Sequence, residues 1–314
     1  MTKKKQESAQ PRPETEAPAS VPSEKKKKRR RFGDRYEGRR LRSLAPMQYV
    51  VPYIMKVRAD AQNLFDDRIR MDIIDEYCAK KRAEGMTGFG VLHAILAAYV
   101  RAVSERPGVN RFVAGQHVFA RNNIVANMTI KKRMGIDCPD TVIKVIFDPA
   151  DTAADVYRKF SEVAEKATAD DTDFDNTAGF LRHIPGLLLR FVIGTLRFLD
   201  YFGLLPRGLI KVSPFHGSLV ITSMGSLGIN AIYHHLYDFG NIPIFFAYGK
   251  KYAVREIGEN GEVVTRRYVD LRAVTDERIC DGYYYASAFK IMQRYLAKPD
   301  LLDVPPATVK EDID

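Results

Sequence analysis

The stretch TDERICDGYYYASAF, residues 275–289, decides the fold. Its Asp281-Gly282 pair stands shortly before residues 286–297, whose apolar period predicts the closing helix of the chain. Glu277 precedes Asp281 by four residues, and Cys280 directly precedes it. The stretch therefore raises the question of what chemistry a carboxylate at position 277 performs.

The composition is that of a globular protein. The chain has 314 residues, of which 46% are hydrophobic and 28% charged, so it can form one large domain or two modest ones with a real core. Cys78, Cys138 and Cys280 are far apart and form no CxxC pair, which disfavours a disulfide framework or a zinc site and fits a reducing cytoplasm. We predict no metal. The N-terminus has no apolar segment of the secretory type.

The positive charge is concentrated at one end of the chain. The net charge is +10, but residues 1–46 hold fifteen Lys and Arg against six acids, so the rest is nearly neutral. Residues 1–31 lack apolar periodicity and predict a disordered tail. Its run KKKKRRR, residues 25–31, is typical of a solvated tail, or of one that contacts an anionic membrane surface or nucleic acid.

The remaining chain alternates between helical and strand patterns. Apolar spacing predicts helices over residues 66–83 and 91–106, and over residues 151–167 with Asp151 or Thr152 as the cap. Residues 170–176 form an acidic loop. Strands are predicted for QHVFARNNIVANMTI, TVIKVIFD, SLVITSMGSL, IPIFFAYGKKYAVREI and EVVTRRYVDLRAV, with GENG making the last two a hairpin.

Residues 184–205, IPGLLLRFVIGTLRFLDYFGLL, are unusually apolar. The segment approaches the length of a bilayer span, but Arg190, Arg197 and Asp200 interrupt it, and each charge is costly at bilayer depth. It predicts either an amphipathic helix packed on the body or a helix that lies in the plane of a membrane.

Three stretches together resemble a known family. VTDERICDGYYYASAFKIMQRYLAKPDLL is similar to the end of the chloramphenicol acetyltransferases and of the 2-oxo acid dehydrogenase acyltransferase catalytic domains, which carry His-x-x-x-Asp-Gly before a closing helix. SLVITSMGSLGINAI resembles their Thr-Ile-Ser-(Asn/Ser)-(Leu/Ile)-Gly strand, and RPGVNRFVAGQHVFARNNIVANMTI resembles their entry into the central strands. The resemblance spans residues 40 to 303, and residues 180–210 depart from it.

The resemblance implies an α/β (α+β) fold, a two-layer sandwich of mixed sheet and helices. It also implies a homotrimer with active sites between subunits, in which acyl-CoA donates an acyl group to a small-molecule acceptor. In that family a histidine deprotonates the acceptor, and a Ser or Thr hydroxyl donates to the tetrahedral oxyanion.

Several residues of this chain fall at the family's functional positions. Asp281 matches a structural aspartate, expected to fix the loop through buried hydrogen bonds or an arginine, and Gly282 is expected to allow a tight approach at the helix start. Thr222 falls at the oxyanion-donor position, with Ser223 as the adjacent alternative, since a one-residue strand shift swaps faces.

Glu277 occupies the position of the catalytic histidine. An ordinary glutamate has a pKa of ~4.3 and is a poor base near neutral pH unless burial raises that value. One interpretation makes Glu277 the base of an altered centre. The other holds that the base has been lost, which removes a contribution of about 10²- to 10⁴-fold, and that the fold is kept for binding or assembly.

Two histidines are candidates for a substitute base. His234 and His235 lie in YHHLYDFG, whose spacing differs from the family motif, and they are alternatively surface or packing residues. His216 is a weaker candidate, and His93 is predicted to lie in the core. Cys280 is predicted to be a small buried hydrophobe rather than a nucleophile.

We therefore expect a disordered tail at 1–31, an acyltransferase-like domain at 32–303 with an apolar insertion at 180–210, and a C-terminal tail at 304–314. The tail predicts no strands for a lipoyl-type module, so we expect a stand-alone protein. The insertion is expected to line an acyl or acceptor channel, or to hold the protein at a membrane.

Overall fold

Apolar and polar residues alternate along the strands, and this period sets which face of each strand turns to the core. The computed structural model describes residues 30–131, 140–169, 179 and 182–314. The predictions for residues 1–29, for the acidic loop at 170–176 and for Cys138 lie outside the described residues. Phe32–Asp314 form one compact unit.

The strands form two sheets. The smaller sheet has the order β1–β4–β3; the larger has the order β2–β10–β8–β7–β5–β6, with β9 also paired to β10. In the larger sheet β7 runs parallel to β5 and to β8, and the other pairs are antiparallel, so the sheet is mixed. The strands are β1 (Gly38–Arg40), β2 (Gln62–Arg70), β3 (Arg111–Ala114), β4 (His117–Arg121), β5 (Ile124–Lys131), β6 (Asp140–Phe147), β7 (Leu219–Ser223), β8 (Ile244–Tyr248), β9 (Tyr252–Ile257) and β10 (Val263–Asp276).

Four of the helices cover one face of the larger sheet. The described helices are α1 (Pro46–Ile54), α2 (Met71–Ala83), α3 (Val91–Glu105), α4 (Ala153–Ala169), α5 (Gly186–Tyr201), α6 (Arg207–Val212) and α7 (Gly282–Ala297). Helices α2, α4 and α7 pack on the sheet, and α3 packs between α4 and α7. The fully buried Tyr99 of α3 meets Phe246 of β8 edge to face, with ring centroids 5.7 Å apart. This arrangement confirms the predicted α/β sandwich of mixed sheet and helices.

Strand alternation defines the opposite face of the sheet. Ile221 and Phe246 point into the helix-covered core, so Val220, Phe245 and Val274 point the other way. Leu236, from the connection between β7 and β8, packs over these three residues. This second face carries Thr222, because Thr222 lies two residues after Val220 on the same strand.

Most predicted elements are confirmed, and one is wrong in part. Helix α3 and the β9–β10 hairpin have the predicted positions, and Thr152 caps α4 by accepting a hydrogen bond from the N–H of Asp155. Residues 66–70, however, belong to β2 rather than to the predicted helix, which begins only at Met71. Five residue pairs with β10 hold residues 66–70 extended, and sheet pairing thereby overrides a helical apolar spacing.

Candidate functional site

The most deeply buried charge near the motif is Asp276, the last residue of β10. Its side chain is 1% exposed, and it accepts hydrogen bonds from Nε and Nη2 of Arg278 at 2.8 and 2.7 Å. The Nε of Arg58 donates to the same carboxylate at 3.3 Å. A carboxylate bound in this way fixes the direction in which the chain leaves the strand, because each acceptor oxygen is occupied by a donor of fixed geometry.

Arg58 connects this loop to the segment that contains the two adjacent histidines. Its Nη2 donates to the carbonyl of Gly240 at 2.8 Å, and its Nη1 donates to the carbonyl of Tyr237. The carboxylate of Asp238 accepts from the backbone N–H of Arg58 at 2.8 Å. The two motif-like stretches, YHHLYDFG and DERICDG, therefore converge on one buried arginine.

Two tyrosines hold the N-terminal end of helix α7 in place. The hydroxyl of Tyr285, which is fully buried, donates to the carbonyl of Asp276 at 3.0 Å, and burial raises the pKa of this phenol. The hydroxyl of Tyr284 accepts from the N–H of Gly108 at 3.0 Å, and a Cβ at Gly108 would lie 2.8 Å from the Tyr284 ring. A Cβ at Gly282 would meet nothing within 4 Å, so the predicted tight approach lies at Gly108 instead.

Glu277 directly follows Asp276 but does not take part in the buried ion pairs that Asp276 forms with Arg58 and Arg278. Its backbone N–H donates to the carbonyl of Ala61 at 2.8 Å, which extends the β2–β10 pairing by one residue. Its side chain is half-buried, and the guanidinium of Arg278 is turned to Asp276. Across the described ranges, the Glu277 carboxylate forms no hydrogen bond or ion pair. It is thus available to a substrate or to another chain.

Asp281 has a different structural role from the one predicted. It is exposed, and its Oδ1 accepts from the N–H of Tyr284 at 2.8 Å, so it is the N-cap of α7. The prediction of buried hydrogen bonds or an arginine at Asp281 is therefore wrong, and Asp276 has that role. The physical reason is the turn at residues 277–280, which places Asp276 inward and Asp281 at the helix end.

Thr222 and Ser223 point to opposite faces of β7. Ser223 pairs with Tyr248 on the core side, and its hydroxyl accepts from the N–H of Ser226 at 3.3 Å. Thr222 is half-buried on the second face, and its hydroxyl has no hydrogen-bond partner among the residues that the structure describes. Thr222 is the one of the two that faces away from the helix-covered core, and its hydroxyl can donate to a group bound on that face.

Thr222 and Glu277 are not brought together within one chain. The registers place Thr222 beside Ala247 and Ala247 beside Arg272, five residues before Glu277. Five residues of strand and two strand spacings correspond to a separation of about 19 Å. A reaction centre that uses both residues must therefore combine different chains.

His234 lies closer to Thr222 than Glu277 does. Its ring stacks on Phe245 with centroids 4.4 Å apart and an interplanar angle of 5°, and Phe245 pairs with Val220, two residues before Thr222. Burial and then the neighbouring His235 lower the pKa of His234, which favours the neutral, proton-accepting imidazole. His235 is exposed and touches Tyr237.

The other candidates are structural in this fold. Cys280 is 2% exposed, and burial raises the pKa of its thiol, so the predicted buried hydrophobe is confirmed. His93 lies in the core as predicted, where burial lowers its pKa to about 4. His216 is buried, and its Nδ1 shares a hydrogen bond with the Ser213 hydroxyl at 2.8 Å. This pair lies away from residues 276–282, which we call the motif loop.

Lys144 is a buried group that the sequence analysis missed. It lies opposite Asn127 in the β5–β6 pair, and its Nζ donates to the carbonyls of Ile210 and Ser213 at 2.8 and 2.9 Å. Burial lowers its pKa to about 7. The available signal was a single lysine inside the apolar strand TVIKVIFD. Lys144 holds α6 against the sheet on the face that carries Thr222.

The fold is similar to those of solved acyltransferase cores. A protein of Listeria monocytogenes assigned as dihydrolipoamide acetyltransferase matches with a TM-score of 0.52 and 15% identity, over 80% of this chain and 89% of that chain. The dihydrolipoamide acetyltransferase of Azotobacter vinelandii matches with 0.50 and 13%, over 82% and 88%. The truncated catalytic core of the 2-oxoacid dehydrogenase multienzyme complex of Thermoplasma acidophilum matches with 0.50 and 9%, over 83% and 99%.

No protein-family model and no curated protein sequence matches the chain. At these identities the structural similarity shows the fold, and at that level it confirms the resemblance predicted from the motifs. The Azotobacter enzyme has been investigated for the roles of a serine, a histidine and an asparagine in its catalytic mechanism.

Proposed function

We propose that the protein is a CoA-dependent acyltransferase-like homotrimer whose reaction centres lie between subunits. Each centre combines Glu277 of one subunit with Thr222 of its neighbour, and the acyl group passes from acyl-CoA to a small-molecule acceptor. The observation that carries this proposal is the separation of about 19 Å between the two residues in one chain, given by the sheet register.

The chemistry follows from the two side chains. The acceptor's O–H or S–H gives its proton to the Glu277 carboxylate while its heteroatom forms a bond to the thioester carbonyl carbon. The carbonyl oxygen becomes an oxyanion, which accepts a hydrogen bond from the Thr222 hydroxyl. The C–S bond then breaks, and the sulfur of CoA leaves with the proton that Glu277 returns. No net proton or electron is needed.

Exposed apolar side chains around the motif loop support an interface between subunits. Helix α1 ends where the carbonyls of Met55 and Lys56 accept from Nη1 of Arg278, and it exposes most of its large apolar residues. The segment after β7 also exposes apolar side chains, including Ile229 and Ile232. Exposed large apolar side chains in both segments support a contact between subunits there.

His234 is the alternative base within this proposal. It lies on the same subunit and the same sheet face as Thr222, and its lowered pKa favours the neutral form. If His234 takes the proton, its replacement by glutamine lowers transfer while Glu277→Gln does not. This pair of variants separates the two bases.

A non-catalytic trimer is the second candidate function. Glu277 is half-buried, and its carboxylate forms no hydrogen bond or ion pair in the part of the chain that the structure describes, so nothing there orients it as a base. Under this alternative the protein binds acyl-CoA without turnover. Calorimetric binding with no thiol release would support it.

The decisive test measures thiol release from acetyl-CoA and longer acyl-CoA thioesters. We expect Thr222→Ala to lower the rate by about 10²- to 10³-fold, because one oxyanion donor is lost. Glu277→Ala should lower it by about 10²- to 10⁴-fold. Ser223→Ala is the matched control on the other face of β7 and should change it little. An inactive wild type that gains activity in Glu277→His would overturn the proposal of an active enzyme.

A mixing experiment tests whether the site lies between subunits. Thr222→Ala and Glu277→Ala chains are unfolded together, refolded at equal amounts and assayed. If each centre takes one residue from each of two chains, about a quarter of the centres regain both residues, and activity returns. A mixture as inactive as its parents, despite confirmed subunit mixing, would contradict the intersubunit centre.

A further inference from the structure

We propose that the outward face of α5 is a docking site for an anionic lipid bilayer, with the helix lying in the plane of the interface. This inference concerns a surface that the proposed acyl transfer does not use. Either proposal can therefore fail without the other.

Helix α5 exposes a stripe of large apolar side chains. Leu187, Phe191 and Phe198 are 87%, 70% and 61% exposed, and Phe202, directly after the helix, is 59% exposed. Their spacings of four, seven and four residues place them along one side of the helix. A continuous apolar stripe of this size is unusual on a soluble surface and marks an interaction site.

The charges within the segment that carries the stripe, residues 182–212, are almost entirely positive. Within residues 182–212 the one carboxylate is Asp200, which is 9% exposed and bound to Arg35 at 2.9 Å. The cations of the same segment are all exposed: Arg182, Arg190, Arg197, Arg207 and Lys211. Cations beside an apolar stripe complement anionic headgroups above acyl chains. Pairing this face with the same face of a second copy would instead bring like charges together.

The C-terminal end of α5 is fixed to the body, and this fixes which side of the helix faces outward. Nη1 of Arg35 donates to Asp200, and Nη2 donates to the carbonyl of Tyr201 at 2.8 Å. The Tyr201 hydroxyl donates to Oε1 of Gln116 at 2.7 Å, in the turn between β3 and β4. Asp200 is the one residue of the helix that is buried. The predicted helix is thus held to the body at its C-terminal end, while Leu187, Phe191 and Phe198 on its outer side stay exposed.

The length of α5 suits an in-plane position. Its 16 residues extend about 24 Å, which is less than the ~30 Å of a bilayer hydrocarbon core. Among the described helices, none has the length and apolar content needed to cross a membrane. A helix that lies in the plane of the membrane inserts its apolar stripe only to the depth of a side chain. It needs neither the length nor the apolar content of a spanning helix, because its polar backbone stays in the headgroup region.

The test is vesicle flotation of the full chain. Vesicles of phosphatidylcholine alone are compared with vesicles containing about 30% phosphatidylglycerol. We expect the wild type to float with the anionic vesicles and to bind less at high salt. Leu187→Ser/Phe191→Ser/Phe198→Ser should lower binding by about tenfold or more, and Arg190→Glu/Arg197→Glu should do the same.

Matched controls change the same chemistry elsewhere. Ile257→Ser/Val263→Ser alters exposed apolar side chains of the β9–β10 hairpin, and Lys250→Glu/Arg255→Glu alters exposed cations; both should bind like the wild type. Binding that survives the triple serine change but is lost when Lys25–Lys28 become glutamine would assign binding to the tail and overturn the proposal.

Intrinsic fluorescence gives a second measurement. Because the chain has no tryptophan, Phe198→Trp introduces a single reporter. Its emission should shift to the blue with anionic vesicles, while that of Ile257→Trp should not. A wild type that stays unbound would overturn the proposal. A triple serine variant that dissociates an oligomer without affecting vesicle binding would assign the exposed face of α5 to a second copy of the chain.

Discussion

Asp276 and Asp200 are both buried carboxylates that bind an arginine from the N-terminal part of the described chain, but they hold very different segments. Asp276 is 1% exposed and binds Arg58 and Arg278 inside the core. The side chain of Asp200 is 13% exposed and binds Arg35, with Nε2 of His216 at 3.5 Å, at the edge of the molecule. Asp276 holds the turn that follows β10 in the core. Asp200 holds one end of α5, whose other residues are exposed or half-buried.

Apolar content does not decide which side chains are buried in the loop after β10 and in helix α5. Asp276 is charged but enclosed, because the buried guanidinium groups of Arg58 and Arg278 donate to its carboxylate. Helix α5 is rich in Leu and Phe, yet Asp200 in its last turn is its one buried residue. The anchoring ion pairs thus decide where each segment lies.

The largest expected effect is at Asp276. Asp276→Asn removes the charge that compensates two buried guanidinium groups, so we expect the free energy of unfolding to fall by about 3 to 5 kcal/mol. Urea unfolding measures this. A loss below about 1 kcal/mol would show that the two arginines find other partners, and would remove the contrast with Asp200.

At Asp200 we expect a smaller and local effect. Asp200→Asn should weaken the docked end of α5 by about 1 to 3 kcal/mol, since a charge-assisted bond is lost, and hydrogen exchange should rise in α5 and little elsewhere. Asp67→Asn, at a half-buried residue whose carboxylate accepts from Gln293, is the control and should leave α5 unchanged.

The loss of stability at the docked end of α5 that Asp200→Asn causes should depend on pH. Burial raises the pKa of this carboxyl, but His216 and Arg35 together hold it below its ordinary value of 3.8. A depressed folded pKa stabilises the docked end above about pH 3.8, and that contribution is lost as the pH falls through the lower folded value. The difference between wild type and Asp200→Asn should therefore narrow below about pH 3.8 and stay constant above it.

Asp281 should contribute less than either anchor. Asp281→Ala removes the N-cap of α7 and should cost about 1 kcal/mol in thermal or urea unfolding, while Asp281→Ser should retain most of that contribution. A loss as large as that of Asp276→Asn would restore the buried structural role first predicted for Asp281.

The smallest expected change in stability is at Glu277. Glu277→Gln should alter the free energy of unfolding by less than about 0.5 kcal/mol, since its carboxylate binds nothing in the described chain. The same variant should lower thioester transfer by about 10²-fold or more if Glu277 is the base. A stability loss without a loss of activity would reverse the roles of the neighbouring residues 276 and 277.

Motif order predicted the fold well, because DERICDG, TSMG and the flanking strands each depend on local patterns. Local patterns also predicted the core position of His93 and the burial of Cys280. The chain could not show that Asp276 rather than Asp281 binds the arginines. That choice depends on a turn of four residues and on Arg58, which is 218 residues away in the sequence.

The same limit applies to β2 and to α5. Residues 66–70 have an apolar spacing compatible with a helix, and only pairing with β10 makes them a strand. The position of α5 depends on the contacts that its C-terminal end makes with Arg35 and Gln116, which no period in the sequence reveals. The catalytic use of Thr222, Glu277 or His234 and the binding of the basic tail stay predictions.

The long strand β10 also dictates an order of assembly. It pairs with β2 on one side and with β8 and β9 on the other, and it ends at Asp276, so the ion pairs of Asp276 need residues from both ends of the folded unit. A chain leaving the ribosome has β2 and Arg58 long before β10 exists, and these wait unpaired until β10 has been synthesised. We therefore expect the ion pairs of Asp276 to form only after β10 has paired with β2.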